Sequence, residues 1–117
     1  MNTTDPSWYQ EFPSAITVCD NEGIILYMND KSRKTFEKSS DRNLIGTNVL
    51  DCHPEPSRTK LKKMLSEGKT NSYTIEKNGL KKIIHQSPWF ENGEYKGFVE
   101  LSIELPFSMP HFKRDKL

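Results

Sequence analysis

NSYTIEKNGLKKIIHQSPWFENGEYKGFVELSIEL, residues 71–105, decides the fold. It holds two Asn-Gly pairs, Asn78-Gly79 and Asn92-Gly93, each set between runs rich in β-branched and aromatic side chains. A tight hairpin loop needs positive φ at both central positions, and Asn followed by Gly supplies it at the least steric cost. The stretch therefore predicts three antiparallel strands, over residues 71–76, 80–89 and 95–105. In the last of them Val99, Leu101, Ile103 and Leu105 alternate with Glu100, Ser102 and Glu104. A period of two predicts the aliphatic set on the buried face and the polar set on the wetter one.

Upstream lies a helix, with Pro54 and Pro56 before it, Ser57 near its start and Gly68 as its stop. Leu61, Met64 and Leu65 are spaced as one apolar face, while Arg58, Lys60, Lys62 and Lys63 form the solvated side. Residues 39–51 read as short helical turns under a loop, and residues 31–38 as a short helix anchored by Phe36 behind the N-cap types Asn29 and Asp30. Before that, residues 15–19 and 24–28 form a hairpin closed by Asp20-Asn21-Glu22-Gly23. Residues 7–12 are expected to form a short helix ended by Pro13, and Pro106 and Pro110 stop the last strand. The chain divides into an N-terminal helical extension, 1–13, a domain, 14–105, and a tail, 106–117. In the tail, Phe107, Met109, His111 and Phe112 either fold back on the sheet or meet a partner, a second protomer being the simplest.

This order implies an α+β fold: a five-stranded antiparallel sheet with short helices and one longer helix packed on one face, and a pocket between helix and sheet. The 117 residues suffice for a single core. A net charge of +1 offers no field to attract nucleic acid or anionic lipid. The N-terminus has no basic n-region or apolar h-region, and the longest apolar run, residues 23–28, is too short to cross a bilayer, so the expected location is cytoplasmic. Cys19 and Cys52 are then expected as free thiols. The sequence holds no Ser-His-Asp arrangement, nucleophile elbow or phosphate-binding glycine loop, and the acidic Glu91 and Glu94 flank a hairpin turn, so no catalysis is expected.

FPSAITVCDNEGIILYMND, LIGTNVLD and NGEYKGFVELSIEL together resemble the PAS family, over residues 12–105. The resemblance implies a stand-alone sensory or interaction module, often one that holds a small molecule or haem, or that dimerises through an N-terminal helix and the outer face of the sheet. A shared fold hosts many functions, so the site has to be argued from its own residues.

Asp51-Cys52-His53-Pro54-Glu55-Pro56-Ser57 places two ligand-capable side chains at the mouth of the long helix. HPEPSRTKLKKML is similar to the corresponding stretch of carbon-monoxide-responsive haem PAS regulators. The resemblance implies His53 as an axial haem ligand, with Cys52 as an alternative thiolate ligand in the oxidised state. In the oxygen-sensing type the histidine lies within the helix, and residues 56–68 here contain none. His85 on the middle strand is the candidate second axial ligand. The expected pocket lining is His53, Cys52, Leu61, Met64, Leu65, Ile75, Ile84 and Leu101. No C-x-x-C or H-x-x-x-H spacing supports zinc, and the Asn-Cys-Arg motif of flavin-binding relatives is missing. The expected function is a sensor that binds haem or another small ligand and signals through a partner or its own homodimer. The alternative is a ligand-free interaction module whose pocket is filled by Ile75, Ile84, Val99 and Leu101.

Overall fold

Both Asn-Gly pairs take the left-handed backbone their chemistry favours: Asn78 and Gly79 have φ of 53° and 77°, Asn92 and Gly93 of 52° and 81°. The computed structural model describes residues 7–36 and 43–115. In chain order its elements are β1 (Ala15–Asp20), β2 (Ile25–Met28), α1 (Asp30–Phe36), a 3-10 turn (Val49–Cys52), α2 (Ser57–Glu67), β3 (Asn71–Lys77), β4 (Leu80–Glu91) and β5 (Glu94–Leu105). The strands form one antiparallel sheet in the order β2-β1-β5-β4-β3, so the first and last strands are neighbours at its centre.

Local chemistry explains the opening hairpin. The Asp20 carboxylate Oδ1 accepts the backbone N–H groups of Glu22 and Ile24, both at 2.9 Å, and fixes the turn. Asn29 caps α1 and does more. Its Oδ1 accepts the N–H of Ser32 at 3.1 Å and of Ile16 at 2.9 Å, and its amide donates to the carbonyls of Tyr9 and Ser14, both at 2.9 Å. The side chain is fully buried, with donors and acceptors all matched. The open edge of β2 is covered by the segment around Gly46–Val49, which exchanges backbone hydrogen bonds with Gly23 and Ile25. That docking places the 3-10 turn, and with it Cys52 and His53, beside the helix-facing side of the sheet.

Two expectations need correction. Residues 7–12 form successive turns, with Gln10 N–H donating to Ser7 and Phe12 N–H to Tyr9, and no helix. The six residues between Pro6 and Pro13 are too few to offset the cost of nucleating a helix, and Pro13 has no N–H with which to extend one. Tyr9 from this segment meets Tyr27 edge-on at 5.3 Å. The second correction concerns β5. Cross-strand partners share a face, and Glu100 pairs with Thr17 and Gln86, while Ser102 pairs with Ala15 and Ile84. Phe98, Glu100 and Ser102 therefore lie on the helix-facing side, and Val99, Leu101, Ile103 and Leu105 point outward, partly exposed. The alternation is as read, but the faces are exchanged. Phe98 decides it by packing with Cys19 and Leu65 into the core cluster, joined by Val49, Leu50, Leu61, Met64 and Tyr95. Part of the expected run of turns, residues 39–42, and the end of the expected α1 lie outside the described residues.

Candidate functional site

α2 is held over the sheet at its two ends. At the C-terminal end Gly68 adopts a left-handed φ of 64°, and the Tyr95 hydroxyl donates to the Leu65 carbonyl at 2.7 Å. At the N-terminal end Glu55 accepts from the Thr59 backbone N–H at 2.8 Å and from its hydroxyl at 2.5 Å. Glu55 thus caps the first turn of α2 through its side chain, and these hydrogen bonds hold its carboxyl below the ordinary range. Arg58 Nε also donates to the Leu50 carbonyl at 2.9 Å, tying α2 to the 3-10 turn. Between these anchors the helix buries only Leu65.

The result is a cavity of about 340 Å³ between α2, the 3-10 turn and the sheet, which falls within the usual size range of small-molecule sites. Its walls are mainly apolar: Ile25, Met28, Phe36, Leu44, Val49, Leu61, Met64, Leu65 and Phe98. Its floor is polar in one row. Thr17, Glu100, Gln86 and Asn71 lie side by side across β1, β5, β4 and β3. Asn71 Nδ2 donates to Gln86 Oε1 at 3.1 Å, and Gln86 Nε2 donates to Glu100 Oε2 at 2.8 Å. Thr17, Gln86 and Glu100 of this row line the cavity. On the other side of α2, an open groove of about 510 Å³ carries Lys60, Lys63, Lys69 and Tyr73 and shares His53, Leu61, Met64 and Gln86 with the cavity.

His53 lines the mouth. Its Nδ1 lies 2.6 Å from the Val49 carbonyl oxygen, which only accepts. The ring proton of the neutral imidazole is therefore on Nδ1, and Nε2 keeps its lone pair. Cys52 is exposed beside it, and Cys19 is buried at the sheet end of the cavity. Burial pushes the Cys19 thiol upward, against a lowering hydrogen bond from the Phe98 backbone, so it stays protonated.

Of the sequence-derived lining, His53, Cys52, Leu61, Met64 and Leu65 meet at this cavity. The others do not. Ile84 is buried on the helix-facing side but one row away, beside Ser102, and Ile75 is one row further, opposite Lys82. Leu101 pairs with His85 on the outer face. His85 therefore cannot meet His53 across a shared ligand, because the sheet lies between them, and its Nδ1 is 2.6 Å from the Ser72 hydroxyl. Nor do Ile75, Ile84, Val99 and Leu101 fill the cavity. Thr17, Gln86, Glu100, Met28 and Phe98 were missed. The available signal was Phe98 itself, an aromatic side chain of β5 standing at even spacing with Glu100.

The residues match haem in one respect only. His53 presents a fixed imidazole nitrogen, but the cavity is smaller than a porphyrin and carries a carboxylate on its floor. Among the described residues no three His, Cys, Asp or Glu side chains converge as a metal-ligand set. No described helix is long and apolar enough to cross a membrane.

No family model and no curated protein matches the sequence. Solved structures do match the fold. A C-terminal domain from Streptococcus mutans superposes with a TM-score of 0.65 at 20% identity, covering 81% of this chain and 78% of that one. The PAS domain of BvgS from Bordetella pertussis gives 0.60 at 20% identity, covering 83% and 80%. The Aer2 receptor of Vibrio cholerae, a dual PAS-heme oxygen sensor, gives 0.58 at 16% identity, covering 80% and 95%. The chain has the PAS fold.

Proposed function

We propose that this chain is a sensory PAS module that takes a small molecule into the cavity beneath α2, catalyses no reaction, and passes its state on through a protein partner. One observation carries the reading: an apolar chamber with a hydrogen-bonded polar row set in its floor. A chamber needed only for packing has no reason to retain a carboxylate and an amide. The neighbours support it, since several are sensor regions of histidine kinases, and one is a receptor. Native mass spectrometry of the purified protein, before and after denaturation, tests it. A mass excess lost on unfolding is the expected result, and Leu61→Trp, which fills the chamber, abolishes it. A protein that carries nothing, binds no apolar probe and is unaffected by that filling returns the module to a ligand-free interaction role.

A second reading, haem held through His53, is favoured by the Nδ1 contact to Val49, which leaves Nε2 available as a donor. It requires the N-terminal end of α2 to lift away from the sheet. A Soret band that His53→Ala shifts supports it, and a spectrum unchanged by that substitution removes it.

The partner we favour is a second copy. The outer face presents Val99, Leu101, Ile103 and Leu105, and Trp8, Phe107, Met109 and Phe112 are 64%, 61%, 55% and 69% exposed. Sedimentation equilibrium over a wide concentration range distinguishes a self-associating chain from a strict monomer.

A further inference from the structure

Glu100 is in an unusual position for a carboxylate. It stands on the central strand, on the floor of a chamber whose walls are mainly aliphatic and aromatic, with Thr17, Gln86, His53, Cys19 and Cys52 as the other polar or ligand-capable lining. It forms no ion pair among the described residues. Its side-chain hydrogen-bond partner among the described residues is the neutral amide of Gln86, on Oε2. That amide is not free to turn round. Its own oxygen is occupied by the Asn71 amide, so the row has one sense, from donor at the open groove to acceptor in the chamber. Tyr73 is pushed upward by burial first and by the negative charge of Glu100 in addition, and Cys19 by burial, with Asp20 and then Glu100 adding to it.

An ionised carboxylate accepts up to about four hydrogen bonds and donates none. In an apolar chamber it needs a cation or strong donors to replace the water it gives up. The lining holds no Lys or Arg, and its one basic side chain, His53 at the mouth, has Nδ1 engaged with the Val49 carbonyl. The Thr17 hydroxyl is engaged with Ser32 at 2.5 Å, and the lysines face the groove on the far side of α2. An anionic guest would meet like charge at the floor.

We propose that the cavity selects a small organic cation, an ammonium group on an aryl or alkyl body, and seats the ammonium against Oε1 of Glu100. The inference rests on the cavity being a ligand site and adds the chemical class of the ligand. Asn71 and Gln86 are positioning residues, since they hold the carboxylate at one end of the row.

The test uses the full chain with the neutral apolar probe N-phenylnaphthylamine, displaced by three guests of the same hydrocarbon body: phenylbutylammonium, phenylbutanol and phenylbutyrate. The ammonium is expected to displace the probe at a concentration about tenfold below that of the carboxylate, with the alcohol between them. Glu100→Gln should abolish that order while the probe still binds, and Asn71→Ala, at an exposed strand end, should reduce it without loss of fold. Equal competition by ammonium and carboxylate, or a preference unchanged in both variants, overturns the ligand class and leaves the cavity reading in place. Failure of the wild-type chain to bind the probe at all overturns both.

Discussion

The two faces of the sheet are built on opposite terms. The helix-facing side carries Phe98 and the Thr17, Glu100, Gln86 row, and the outer side carries the aliphatic series Val99, Leu101, Ile103 and Leu105. By hydrophobicity alone the outer series is the better core, yet it is the side left partly exposed. The difference shows that a helix over a sheet does not need the most apolar face when one large ring, here Phe98 at 4% exposure, anchors the contact. The polar positions beside that ring are then free to line a chamber, and the aliphatic face is left partly exposed.

The largest effect that sharpens this contrast is expected from Phe98→Ala. Loss of the anchoring ring should cost about 3 kcal/mol, read as a shift of the urea midpoint, and should enlarge the chamber. A cost no greater than that of an outer-face truncation would mean that the two faces are not energetically distinct. Asn29→Ala follows, at about 2 kcal/mol, because it strands buried backbone N–H and C=O groups and removes the cap of α1. Near-normal stability in that variant would show that water reaches the site.

Leu101→Ala on the outer face is expected to cost about 1 kcal/mol in dilute protein, since that side chain is only partly covered. If a second copy covers the face, the cost rises with protein concentration, and a concentration-independent value breaks the assignment of that face to association.

The smallest effect is a pH response at the start of α2. The folded-state pKa of Glu55 is lowered by its hydrogen bonds to Thr59, so its contribution is complete above the unfolded value and is lost as pH falls through the folded one. Acidification should fray the first turn of α2, seen as a small loss of helical circular dichroism, and Glu55→Gln should remove that acid dependence. The same loss in the variant would place the titrating group elsewhere.

Much of this architecture was legible in the sequence because its causes are local. Asn78-Gly79 and Asn92-Gly93 carry their own backbone preference, Asn29 is a cap type, and Leu61, Met64 and Leu65 share a helix face whatever lies beneath it. His53 and Cys52 reached the cavity for a related reason, since they immediately precede the helix that roofs it. Two things needed the tertiary structure. A period of two separates two faces without saying which one lies under the helices, so Leu101 was assigned to the wrong side and the face of His85 was left open. And Thr17, Gln86 and Glu100 stand far apart in the chain, so their row exists only through the register of β1, β5 and β4, a property of strand pairing that no single segment contains.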